Sequence, residues 1–251
     1  MSFGLPRARD LDPGIILIDD RGLPPLPDDL LTNPTGGWLD PRSWFEHPEH
    51  PFEIEIGSGK GTFLLQQGAV DAGVNFLGFE WERAFAVYAA DRVRRRGLPN
   101  VRMLCADATS FLRWRCGEGL ARVIHLYFSD PWPKTKHHKN RVVQHGFLEQ
   151  AWRILPPRGE LRVVTDHAEL WSWDEAHFEP WTADGGAAEG AGGLVPGWIR
   201  ERLAPGVAPF ARVAFTPPAW VGEGELVGTN YERKMVAPGA TAFACTLVRQ
   251  G

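Results

Sequence analysis

The sequence predicts an α/β domain built on an open, mostly parallel sheet, with its chemistry gathered along one edge. Three observations carry that expectation. Short β-branched and aromatic runs alternate with helix-like stretches, and the glycine run Gly57-Ser58-Gly59-Lys60-Gly61 directly follows one of them. Acids also recur at or just past the ends of the runs, as Glu55, Glu80, Asp107, Asp130 and Asp166. Open α/β sheets bind ligands outside the carboxyl ends of their strands. Five acids on that edge are harder to explain by solubility than any one alone.

Composition bounds the reading. The chain has 251 residues, 43% of them hydrophobic and 23% charged, enough for a sizeable globular core. A formal net charge of -4 argues against wholesale polyanion coating, so nucleic-acid contact would have to come from local patches. Cys105, Cys116 and Cys245 are odd in number and lack C-x-x-C spacing, which favours buried thiols in a reducing compartment and no zinc site. Met1 to Asp10 has no signal-like apolar core, and no run approaches the ~18 apolar residues of a membrane span. A soluble cytoplasmic protein is expected.

Residues 1–50 are proline-rich, with Ile15-Ile16-Leu17-Ile18 as one candidate strand, and read as an amino-terminal arm to a domain over 51–251. Pro51 to Ile56 alternates acid and apolar residues as the first strand of the main sheet, and Thr62 to Gln67 starts a helix. Between them the glycines allow positive φ and a close ligand approach at a helix amino terminus. A phosphate-binding loop needs Ser or Thr where Gly61 stands, and the dinucleotide fingerprint needs glycine where Thr62 stands. What remains is G-x-G-x-G with an acid two residues before it, the pattern of S-adenosylmethionine sites, or a bare structural turn.

Val74 to Phe79 reads as the second strand and delivers Glu80, whose carboxylate could accept both ribose hydroxyls or could be a solvated acid at a helix start. The following helix runs to Arg96 with Gly97 as its cap, and Arg92, Arg94, Arg95 and Arg96 suit its dipole without needing partners. Val101 to Leu104 is the third strand. Asp107 behind it is either a helix N-cap or an acceptor for an exocyclic amine. Val123 to Phe128 is a buried fourth strand leading into Asp130-Pro131-Trp132-Pro133-Lys134, a loop stiffened by two prolines, with an acid beside an aromatic plate. Val142 to Leu155 reads as an amphipathic helix, Glu160 to Thr165 as the fifth strand delivering Asp166, and 180–197 as a flexible Gly/Ala-rich loop. Phe210 to Phe215 and Ala242 to Val248 alternate as the last two strands, around the polar loop Thr229 to Lys234. Lys134, Lys136, Lys139 and Arg141 form a basic stretch that either meets phosphates or is a solvated face. His137 and His138 are adjacent and point apart, with no ligand spacing nearby, so no metal site is expected.

Asp130 to Lys134 with its basic stretch, Glu55 to Gly61 and Val164-Thr165-Asp166 together resemble the bacterial tRNA (guanine-N7-)-methyltransferase family. The resemblance covers about residues 52–171 and resumes at 229–234. It implies a Rossmann-like class I S-adenosylmethionine-dependent fold, a seven-stranded mostly parallel sheet with a reversed last strand and helices on both faces. It also implies methyl transfer from S-adenosyl-L-methionine to N7 of guanosine 46 in the tRNA variable loop. By motif match, Glu55, Gly57, Gly59, Glu80, Asp107 and Asp130 would contact the cofactor, with Asp130 also catalytic. Lys134, Asp166, Thr229, Asn230, Tyr231 and Glu232 would hold the substrate, and Lys136, His137, His138, Lys139, Asn140 and Arg141 would touch RNA. The chain departs from the family's pattern where Ser129 replaces a proline, Asn140 replaces a basic residue, and Thr-Asn-Tyr-Glu replaces Thr-basic-Phe-Glu. Guanine N7 carries a free lone pair, so Asp130 is cast as a positioner of the purine, with Asp166 sharing the task; Trp132 either stacks on the base or packs in the core. Two alternatives stay open: a methyltransferase for another acceptor, and a non-catalytic RNA-binding module on the same fold.

Overall fold

The first unit, Met1–Cys116 in the computed structural model, is a parallel sheet with helices threaded between its strands. It contains β1 (Leu17–Asp19), β2 (Phe52–Ile56), α1 (Thr62–Val70), β3 (Asn75–Phe79), α2 (Arg83–Arg96), β4 (Val101–Cys105) and α3 (Ala108–Arg115). The structure describes residues 5, 10–182, 193–235 and 242–251. The strand order in this unit is β1-β4-β3-β2, every pair parallel. Every residue of β2, β3 and β4 is buried, as parallel sheets covered on both faces require. The acid/apolar alternation of β2 therefore does not mark a wet face: Glu53 and Glu55 are buried too.

The stretch expected to be an arm supplies a strand of this unit's sheet, so that the described residues hold eight strands where seven were expected. β1 pairs with β4, Leu17 opposite Met103, and the candidate run is split, Gly14–Ile16 forming a 3-10 turn and only Leu17 onward extending. Three arginines hold this segment, among them Arg94, which was expected to need no partner. Arg94 donates to the Asp12 carbonyl at 2.7 Å, Arg83 pairs with Asp19, and Arg102 on β4 donates to the Trp44 carbonyl at 3.1 Å. Asn100 is a second clamp, its buried amide donating to the carbonyls of Gly68, Asp71 and Val74 and so fixing the end of α1 to the start of β3. Gly97 ends α2 in the left-handed region, as read from the sequence.

The second unit, Gly117–Gly251, contains β5 (Val123–Tyr127), α4 (His145–Ile154), β6 (Glu160–Thr165), α5 (Ala168–Thr182), α6 (Gly197–Arg200), β7 (Phe210–Val213), α7 (Asn230–Met235) and β8 (Phe243–Arg249). Its strand order is β5-β6-β8-β7, with β5 and β6 parallel and β8 antiparallel to both its neighbours. The last strand is thus reversed, and the fold class is the expected Rossmann-like one. Helix α4 starts at His145, three residues later than read, after Gln144 has closed the preceding turn by donating to the carbonyls of Lys139 and Arg141. The stretch 180–197, expected as a flexible loop, is helical at both of its ends. Residues 180–182 finish α5 and Gly197 opens α6, while 183–192 lie outside the described residues.

Candidate functional site

In the first unit the edge is built on Glu80. Its Oε2 accepts from the Gly59 amide at 2.8 Å and its Oε1 from the Glu82 amide at 2.9 Å, so the carboxylate ties the glycine loop to the end of β3. The solvated reading of Glu80 is excluded, since it is 7% exposed. Gly57 and Ser58 also donate to the Phe79 carbonyl, at 3.0 and 2.9 Å. Gly59 has φ +52, and a Cβ there would meet nothing within 4 Å, so the turn is left-handed and open toward a ligand. Gly61, at φ +66, is different: a Cβ would lie 3.0 Å from that of Ala89, so the glycine lets α1 approach α2.

Glu55 lies under this loop. Burial pushes its carboxyl up to about 7, the nearby Ser58 hydroxyl pulling it down and the Glu80 charge adding to the rise. Its Oε2 has no hydrogen-bond partner. A buried acceptor without a partner is costly unless a ligand completes it. Asp107 caps α3, its Oδ1 accepting from the Ser110 amide at 2.9 Å and the Thr109 hydroxyl at 2.6 Å. Asp107 also lines a cleft with Asp20, Leu23, Leu26, Ala106 and Phe111, so the amino-terminal segment borders this site.

In the second unit Asp130 stands exposed on a strained loop. Phe128 and Trp132, neither a glycine, have φ of 53 and 43, a conformation that persists only where the surroundings impose it. Asp166 and Tyr231 lie nearby: burial first raises the Tyr231 hydroxyl pKa, and then the charge of Asp166, its hydrogen bond to Asp166, and the charge of Asp130 add to that. The Tyr231 and Phe128 rings meet in a tilted contact, 5.1 Å between centroids and 40° between planes. Trp132 is half-buried with its ring 5.8 Å from that of His137, on the loop rather than in the core.

Other candidates of this unit are committed elsewhere. Glu232 is buried and accepts from the amides of Leu226, Val227 and Gly228 at 2.5, 2.9 and 2.7 Å, and its own amide donates to the Thr229 hydroxyl at 3.1 Å. Thr229 and Glu232 thus shape the loop before α7 as a capping pair. Lys134, Lys136, Lys139 and Asn140 are exposed on the 3-10 turn Thr135–Asn140 and its approach, while His137 and His138 are half-buried. Arg141 departs from the expected basic face, being 2% exposed.

The sequence model of a family described as "Putative methyltransferase" matches residues 49–182. The chain is 37% identical over 130 residues to the tRNA (guanine-N(7)-)-methyltransferase of Streptococcus mutans serotype c, covering 52% of this chain and 61% of that one. It is 35% identical over 155 residues to the protein of the same name from Streptococcus equi subsp. zooepidemicus, covering 59% of this chain and 73% of that one. The chain belongs to the tRNA (guanine-N7-)-methyltransferase family. It spans about six tenths of the length of the S. mutans relative. Among solved structures it is similar to the aminoglycoside resistance methyltransferase NpmB1, at a TM-score of 0.49 and 16% identity over 90% of this chain and 94% of that one.

The stretch that matches the family holds Glu55, Glu80, Asp107, Asp130 and Asp166, whereas Thr229 to Glu232 lie beyond it. The family motifs did not disclose the residues behind the Asp130 loop. Glu169, Trp173 and Asp174 of α5 surround Arg141, and Asp174, buried and with Oδ1 unpartnered, has its carboxyl pushed up to about 8 by desolvation against the pull of Arg141. Their signal was present as an i, i+4 spacing from Glu169 to Trp173. Among the described residues, His47, Glu49 and His50 bring one ligand atom each within 4.8 Å of one another on an exposed turn that no motif marked. No described helix is long and apolar enough to cross a membrane.

Proposed function

We propose that the protein methylates N7 of a guanosine in tRNA, at position 46 of the variable loop, with S-adenosyl-L-methionine as donor. The observation that carries the donor is the buried Glu55 Oε2 without a partner, beneath a glycine turn where Cβ atoms at Gly57 and Gly59 would meet nothing. A buried carboxyl with one unpartnered oxygen, two residues before an open glycine turn, fits a cationic ligand, and S-adenosylmethionine carries both an ammonium and a sulfonium. When bound it supplies an electrophilic methyl group.

The chain's own residues then have separate tasks. Glu80, held at the end of β3 by the Gly59 and Glu82 amides, offers a carboxylate to the two ribose hydroxyls. Asp107 Oδ2 accepts from an exocyclic amine. Asp130 and Asp166 accept from the guanine edge and offset positive charge developing on the purine, with Tyr231 beside them as a stacking and donor group. The nucleophilic nitrogen needs no deprotonation, so no side chain has to act as base; positioning supplies the rate. Lys134, Lys136 and Lys139, all exposed, meet phosphates and fix register without reading sequence. The relatives' names, tRNA (guanine-N(7)-)-methyltransferase, favour this acceptor over a small molecule or protein.

Incubation with radiolabelled S-adenosylmethionine and unmodified tRNA tests the reading, with calorimetry on the donor alone run in parallel. The reading expects label in tRNA and saturable donor binding. Donor binding with label only in other acceptors would reassign the substrate, and absence of donor binding would leave an RNA-binding module.

A further inference from the structure

Resting on that reading, we propose that Arg141 is a positioning residue that holds the Asp130 loop from behind, and not a contact to RNA. The residue ends a stretch in which Lys134, Lys136 and Lys139 are exposed, and by sequence it belongs with them. Its side chain is 1% exposed, so a phosphate cannot reach it. The guanidinium is instead engaged by three groups. Nε donates to the Pro131 carbonyl at 2.9 Å, an Nη donates to Glu169 Oε1 at 2.8 Å, and the group lies 5.0 Å over the Trp173 ring. Trp173 is itself fixed by donating Nε1 to the Val143 carbonyl at 2.7 Å. The buried carboxyl of Asp174, next along α5, feels the same guanidinium.

Pro131 immediately follows Asp130 and has no N–H, so its carbonyl is the one main-chain group it can offer. It lies between Phe128 and Trp132, the two non-glycine residues of this loop held at positive φ. A backbone conformation of that kind needs an external restraint. Arg141 supplies it by tying the middle of the strained loop to the rigid face of α5. The planar fork serves Pro131 and Glu169 from two separate nitrogens with its face on Trp173, a geometry that the single point charge of a lysine ammonium does not reproduce.

Arg141→Lys separates the two roles, because it keeps the charge and removes the fork. Methyl transfer to unmodified tRNA should lose about tenfold or more in kcat, while KM for tRNA and its salt slope stay as in the wild type. Hydrogen exchange at the Phe128, Ser129, Trp132 and Lys134 amides should quicken in the free protein. Wild-type kcat with a raised KM and a shallower salt slope would overturn the proposal, as would unchanged exchange at those amides. If Arg141→Lys does not fold, Glu169→Gln, whose side chain is 53% exposed, asks the same question. It should lower kcat and quicken loop exchange to a smaller degree, and no change in either would equally overturn the proposal. Should the wild type fail to methylate tRNA, the acceptor reading falls, and the exchange measurement still decides Arg141 by itself.

Discussion

In the first unit the edge acids are fixed by main-chain amides close at hand: Glu80 by Gly59 and Glu82, Asp107 by Ser110. In the second, Asp130 sits exposed on a loop with two strained residues, restrained through the Pro131 carbonyl by a side chain ten positions on, which α5 in turn holds. The contrast matches the chemistry proposed for each. A donor site that binds one small molecule is served by a prewired cradle, and its wiring follows from a short motif. An acceptor site that must receive a base from a folded RNA is presented on a loop, with its rigidity supplied by side chains from elsewhere.

Substitutions can break this contrast. The largest effect is expected from Asp130→Asn, which should lower turnover on tRNA by about 10²- to 10³-fold; turnover within a fewfold of wild type would remove Asp130 from the mechanism. Next comes Glu80→Ala, which frees the Gly59 amide and removes the ribose acceptor. Calorimetry should show donor affinity weakened about 100-fold, and an unchanged Kd would show that the cradle does not depend on its keystone.

Those expectations rest on residues that could be read in advance, and it is physically clear why others could not. Strands β2 to β6 were legible because β-branched and aromatic runs bounded by acids, glycines and prolines have few other solutions. The wiring of the glycine turn to the end of β3 was legible because motif and hydrogen bonds share the same few residues. Helix α5 gave no such signal. Its buried positions Leu170, Asp174, Phe178 and Trp181 keep helical spacing, but an acid occupies the second of them and interrupts the apolar stripe. The burial of Arg141 was not legible for a related reason, since sequence shows a charge and not the direction in which it points. Thr229 and Glu232 were assigned to substrate although T-x-x-E is itself a capping signature, and the buried carboxylate with three amides follows that simpler rule. The alternation in β2 marked the strand but not its burial: all five residues, Glu55 included, are covered.

The buried Glu55 gives a sharper test of the prewired half. Its folded-state pKa, about 7, is raised above the ordinary 4.5. A raised value means that stability is greatest below the unfolded pKa and is lost as pH rises through the folded one, here between about pH 4.5 and 7. Glu55→Gln should therefore stabilise the protein by on the order of 2 kcal/mol at pH 8 and by almost nothing at pH 4 in thermal melts. The same variant should bind the donor more weakly, a trade of function against stability. Equal melting shifts at both pH values would contradict the buried-carboxyl account. The smallest effect belongs to the exposed basic turn: Lys136→Ala with Lys139→Ala should reduce the salt slope of tRNA binding by about 2, at a modest cost in affinity. An unaltered slope would make these lysines a solvated face.

The most direct test of the central claim uses two unmodified tRNA transcripts that differ only in carrying G or A at variable-loop position 46. Each is incubated with radiolabelled S-adenosylmethionine and then cleaved with aniline at N7-methylguanosine. The account predicts label and cleavage at position 46 in the G transcript alone. Equal label in both transcripts, or label in neither, would contradict it.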